Sequence, residues 1–144
     1  MTTEQPRLER RAGLAATAVL LALTGAVASP RLAIAKGDQA RVVFSQKLPN
    51  VPGKTLTAVA VDYAPGGTSK PHHHAGVVFA YVVSGAIRSQ VDEGEARVYH
   101  AGEAFFEDPG AHHVVSENAS RSKPAKLLAV FVADEGADLT TFDP

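Results

Sequence analysis

Lys70-Pro71-His72-His73-His74-Ala75-Gly76 leads directly into the apolar run Val77-Val78-Phe79-Ala80-Tyr81-Val82-Val83, which closes at Ser84-Gly85. β-Branched and aromatic residues bounded by proline and glycine read as a strand, and the near-continuous apolar character predicts that both of its faces are covered. Three consecutive imidazoles at the head of such a strand are hard to explain by packing. On extended backbone His72 and His74 project to one face and His73 to the other. Neutral imidazole is the commonest metal ligand, so half of a metal site is legible in this stretch alone.

On both sides of the run the same pattern repeats, with short β-rich segments separated by turn residues. Arg41–Leu48 ends at Pro49-Asn50-Val51-Pro52-Gly53, and Thr55–Tyr63 ends at Ala64-Pro65-Gly66-Gly67. Ala86–Val91, Ala96–His100, Ala104–Glu107, His112–Ser116 and Lys126–Val132 follow, and Ala133–Pro144 reads as an acidic, peripheral tail. About eight strands with turn signals every ~8–12 residues predict a sandwich or barrel. No inter-strand stretch has room for a crossover helix, which argues against a parallel α/β sheet. The fold class is all-β.

A second histidine cluster, Pro109-Gly110-Ala111-His112-His113, also sits where a turn meets a strand. Five of the six histidines thus fall in two tight groups. With these residues the chain resembles the cupin superfamily, which implies a single-domain jelly-roll β-barrel. Gly66, His72, His74 and Gly85 fit the first cupin motif, G-x5-H-x-H-x3,4-E-x6-G; Gly102, Gly110 and His113 fit the second, G-x5-P-x-G-x2-H-x3-N. The departures are informative. Val78 stands where the first motif has its glutamate, Asp108 replaces the second motif's proline, and the closing asparagine comes one residue late, at Asn118.

The resemblance therefore implies a three-histidine variant lacking the motif glutamate, with His72, His74 and His113 as metal ligands; motif spacing favours His113 over His112. Such a donor set suits one divalent transition metal (Fe, Zn, Mn, Ni or Cu) and leaves coordination positions open. Glu107 is the candidate replacement carboxylate and the single candidate catalytic group. Facing the barrel interior it needs a partner, which a metal or its water supplies; facing outward it is a rim glutamate. Arg88 and Gln90 line either a pocket or the wet face of a sheet. Tyr81, Tyr99, Phe105 and Phe106 are expected in the core or a subunit interface.

Arg10-Arg11 precedes the uncharged stretch Ala12–Ala28, and small residues then offer exits at Ala26-Val27-Ala28 and Ala33-Ile34-Ala35. This pattern predicts a signal peptide over residues 1–35, cleaved after Ala28 or Ala35, and a cupin domain over 36–144. Seventeen residues rich in Ala, Gly and Thr are marginal for spanning ~30 Å of hydrocarbon. Membrane association is thus expected only through the signal segment, if it is uncleaved. The arginine pair permits a twin-arginine route beside ordinary Sec export, and the destination is periplasmic or secreted. No cysteine is present, which excludes disulfides, thiolate nucleophiles and Cys-type zinc sites. A formal net charge of −1 gives no basic footprint for nucleic acid.

Three-histidine cupins resemble dioxygenases that cleave carbon–carbon bonds, so the resemblance implies a small-molecule metalloenzyme of that type. The alternative is a non-catalytic module that binds a metal or small ligand. A homodimer is expected from the apolar Val77–Val83 run.

Overall fold

A computed structural model describes residues 38–144. The expected signal segment, residues 1–35, lies outside the described residues. Eleven strands and no helix are found among the described residues: β1 (Asp38–Lys47), β2 (Lys54–Tyr63), β3 (Thr68–Ser69), β4 (His72–His74), β5 (Val77–Ser84), β6 (Ala86–Val91), β7 (Arg97–His100), β8 (Ala104–Glu107), β9 (His112–Asn118), β10 (Ala125–Asp134) and β11 (Thr140–Phe142). One sheet has the order β1-β2-β10-β5-β8. The other runs β11-β4-β9-β6-β7, with β3 also paired to β9. Every ladder is antiparallel. The two sheets form the expected all-β barrel.

The core lies between the sheets and follows the period-2 alternation of the strands. Val78, Ala80 and Val82 from β5 meet Leu127, Ala129 and Phe131 from β10, with Phe105 on β8 beside them in the same sheet and Ile87 on β6 of the other sheet, and all are buried. Phe79, Tyr81 and Val83 point the other way and are exposed. Among the described residues, the Val77–Val83 run is therefore covered on one face, not on two. Phe105 joins the core beside Tyr99, whereas Phe106 and Tyr81 lie on the outside.

Gly85 shows why the first motif ends in glycine. Its φ is +73°, and a Cβ there would come within 2.8 Å of Ala125 Cβ and the Pro124 carbonyl oxygen. Asn118 closes the barrel at the far end of β9. Its side-chain amide donates to the Ala64 and Lys123 carbonyls, and its oxygen accepts from the Ser120 amide.

The tail differs from expectation. Thr140–Phe142 pairs with the three histidines of β4, and Leu139 is buried. The reason is topological: β4 is the last strand of its sheet without this partner, and an open edge leaves backbone donors and acceptors unpaired.

Buried polar contacts also tie the sheets together. The Tyr63 hydroxyl on β2 lies 2.8 Å from Ser116 Oγ on β9. Tyr63→Phe is expected to cost about 1 kcal/mol, seen as a melting point lower by roughly 4–8 °C.

Candidate metal centre

β4 is only three residues long, yet it sets the site. His72 and His74 are buried on its inward face and His73 is exposed on its outward face. His113 stands opposite His72 in the β4–β9 ladder, and His112 opposite His73. His113 is the inward member of its pair, buried at 2% exposure, while His112 faces out. Ligand-competent atoms of His72, His74 and His113 all lie within 4.8 Å of one another. The ladder between β9 and β6 skips Val114, since Gln90 pairs with Val115 and Val91 with His113. This bulge turns both His113 and Ser116 inward although they are three residues apart.

Each imidazole has one ring nitrogen engaged by the protein. His72 Nδ1 lies 2.6 Å from the Lys70 carbonyl oxygen and His74 Nδ1 3.0 Å from that of Leu139. Nδ1–H must donate in both cases, which leaves each Nε2 with a free lone pair. His113 is held the other way round, with Nε2 2.8 Å from Ser89 Oγ and Nδ1 turned to the interior. The Thr140 hydroxyl adds a further contact, 3.2 Å from His74 Nδ1.

Glu107 completes the group. It stands directly opposite Val78 in the β5–β8 ladder, so the carboxylate missing from the motif position is supplied one strand over. Only 2% of it is exposed. Its Oε1 lies 3.3 Å from His113 Nδ1, and its Oε2 3.8 Å from His74 Nε2. Neither Glu107 Oε2 nor His113 Nδ1 has a hydrogen-bond partner, although buried polar atoms are normally satisfied. A cation between them would satisfy both. The donor set, three imidazole nitrogens and one carboxylate with two orphaned atoms, therefore fits a divalent transition metal.

Burial dominates the electrostatics. Desolvation, followed by the neighbouring His72, holds His74 at about 4 and His113 at about 3, and desolvation also lowers His72. Burial, with a smaller contribution from Asp92, pushes Glu107 up to about 7. The site thus presents neutral imidazoles, as ligation requires. Above them is a cavity of about 70 Å³, walled mainly by apolar side chains including Val59, Val78, Phe131 and Phe142.

Of the residues read from the sequence, His72, His74, His113 and Glu107 come together. Arg88 and Gln90 do not: Arg88 is exposed and pairs with Glu117 outside the barrel. The residue between them, Ser89, points inward to His113, and an isolated serine in a strand carries no sequence signal for this role. Outer partners of metal-binding histidines typically control 10–100-fold in affinity. Ser89→Ala is expected to weaken metal binding by about that factor, read by competition with a chromophoric chelator.

Comparisons with known proteins agree with this architecture. Residues 59–131 match the family described as Cupin domain. No curated protein matches the sequence. An RmlC-like cupin from Shewanella frigidimarina NCIMB 400 is 25% identical, with a TM-score of 0.55 over 69% of this chain and 79% of that one. KdgF from Halomonas sp. is 25% identical, with a TM-score of 0.55 over 70% and 83% of the two chains. An oxalate oxidase solved in complex with glycolate is 23% identical with a TM-score of 0.57; the likeness covers 74% of this chain but only 55% of that one.

Proposed function

The chain belongs to the cupin family, and from that premise we propose that it is an exported metalloenzyme of dioxygenase type acting on a small organic molecule. The observation that carries this reading is the convergence of three free imidazole nitrogens and a buried carboxylate in one small apolar cavity. His72, His74 and His113 would hold the metal, and Lys70, Leu139 and Ser89 fix their ring orientations. When bound, the metal supplies Lewis acidity and a template for assembling the reactants.

Glu107 is the proton-handling group. Burial holds its carboxyl at about 7 in the metal-free chain, and once its proton is released on metal binding the carboxylate can accept one from a substrate. The apolar walls exclude water. Among the described residues the cavity lining holds no Lys or Arg, which favours a compact, neutral, chelating substrate over one carrying several negative charges. Oxygen uptake by the iron-loaded protein against diketones, catechols and thiols tests the reading. Turnover with at least one class is expected, reduced ~10²–10⁴-fold in Glu107→Gln as for loss of a general base. Silence across the panel would favour the second reading, a non-catalytic module for a metal or small ligand. The cavity size supports that alternative, since about 70 Å³ is well below the ~300–1,000 Å³ of ordinary ligand pockets.

Export is supported by Arg10-Arg11, the apolar stretch Ala12–Ala28 and the small-residue exits. Protein recovered from the periplasm or medium should begin at Ser29 or Lys36, and an intact Met1 start would contradict cleavage. A second copy of the chain is the proposed cover for the outward apolar strip, where Phe79 on β5 sits beside Phe106 on β8 and both are exposed.

A further inference from the structure

We propose that His73, His112 and Asp143 form a second divalent-metal site, on the outer face of the same strand pair, which clamps the C-terminal strand over the interior pocket. His73 and His112 are cross-strand neighbours whose rings stack with centroids 4.5 Å apart. Asp143 follows β11 and is positioned by its backbone amide, which donates to the Pro71 carbonyl at 3.0 Å. Its carboxylate reaches both rings, with Oδ2 2.8 Å from His112 Nε2 and Oδ1 3.5 Å from His73 Nε2. One ligand-competent atom from each residue lies within 4.8 Å of the others.

His73 Nδ1 lies 3.1 Å from the Gly110 carbonyl oxygen and donates to it, so Nε2 is the ring nitrogen that faces Asp143 Oδ1. A metal ion in place of a proton on that nitrogen would be shared by the ring and the carboxylate. Two ligand atoms ~2.0–2.1 Å from one zinc ion lie at most ~4.2 Å apart, so small side-chain rotations close the set. Two imidazoles and a carboxylate suit zinc, copper or nickel. The three side chains are 45%, 34% and 36% exposed, which leaves the site open to ions from solvent.

The position gives the site a consequence. Leu139 and Thr140, at the start of the tail strand, contact His74 Nδ1, and Phe142 packs edge-on against His72. A metal joining Asp143 to β4 and β9 fastens the strand that orients two of the interior histidines. The outer site stands independently of the interior one; only its effect on that pocket rests on the function proposed above.

Zinc alone is the probe, titrated calorimetrically into metal-stripped, untagged protein. The native chain is compared with Asp143→Asn and His73→Gln/His112→Gln, all changes at partly exposed positions. Each variant should bind one zinc fewer than the native chain: one against two, or none against one if the interior site takes no zinc. The latter outcome would exclude zinc, and not another transition metal, from the interior site and leave the outer site standing. Equal stoichiometry in native and variant chains, or no binding by the native chain, would overturn it. With free zinc at ten times the outer site's Kd, amide exchange in Thr140–Phe142 should slow about tenfold in the native chain and remain unchanged in Asp143→Asn. Exchange unaffected by zinc in the native chain would overturn the clamp.

Discussion

His113→Ala is expected to weaken interior metal binding by at least about a hundredfold, because partners one shell further out already control 10–100-fold. His113 contributes the Nδ1 atom that faces Glu107, and the other buried side chains of β9 are committed elsewhere: Ser116 to Tyr63, Asn118 to the Ala64 and Lys123 carbonyls. The folding cost should be smaller than the binding cost. In the metal-free chain this imidazole is a buried ring with an orphaned nitrogen, so its removal relieves part of the loss that a cavity would bring. Chelator competition measures the affinity, and circular dichroism of the same sample confirms that the barrel persists. Undiminished affinity in a folded variant would remove His113 from the ligand set.

Glu107→Gln should produce two opposed effects. The carboxyl has an ordinary value of 4.5 and is held at about 7 by burial. Between those values the unfolded chain has released its proton while the folded chain keeps it, so this group's contribution to stability falls as pH rises through the window. Above pH 7 the full cost applies, about 3 kcal/mol at one pKa unit per 1.36 kcal/mol. Glutamine keeps the shape without the charge, so the metal-free variant should melt higher than the native chain at pH 8 and show little difference near pH 4. The histidines act in the opposite sense. Their lowered values favour folding above pH 6.5, and that stability is lost as pH falls towards about 4 and 3 for His74 and His113. Because this contribution is common to both proteins, the difference between them isolates Glu107.

The second effect is on binding. At pH 6 His74 and His113 are already neutral, whereas Glu107 must give up a proton to face a cation. Native protein should release about one more proton per interior metal than Glu107→Gln. Calorimetry in buffers of different ionisation heat reads this directly, and equal release would show that the carboxylate does not meet the metal. A side chain that costs the empty fold stability while serving the site is a common trade at functional positions.

Much of this centre is legible in the chain itself. The three proposed ligand positions follow from strand alternation and motif spacing, and Val78 announces that the usual carboxylate is absent. Glu107 was readable as a candidate, but its inward direction depends on the β5–β8 register, which is a non-local property. Ser89 was hidden because its role arises from the bulge at Val114, and a single extra residue in a strand leaves no pattern. The tail reads as peripheral in the sequence for a related reason. Thr140–Phe142 is too short to show periodicity, and it becomes a strand only because β4 offers it an edge. The apolar run Val77–Val83 suggests two covered faces, whereas the described residues cover only that of Val78, Ala80 and Val82.

The central claim is that His72, His74 and His113 form one interior metal centre. Metal analysis of untagged protein by mass spectrometry, native against His74→Ala purified in parallel, tests it most directly. The native chain should carry one more equivalent of transition metal than the variant, whatever the outer histidines retain. Equal metal content in the two proteins would contradict the account.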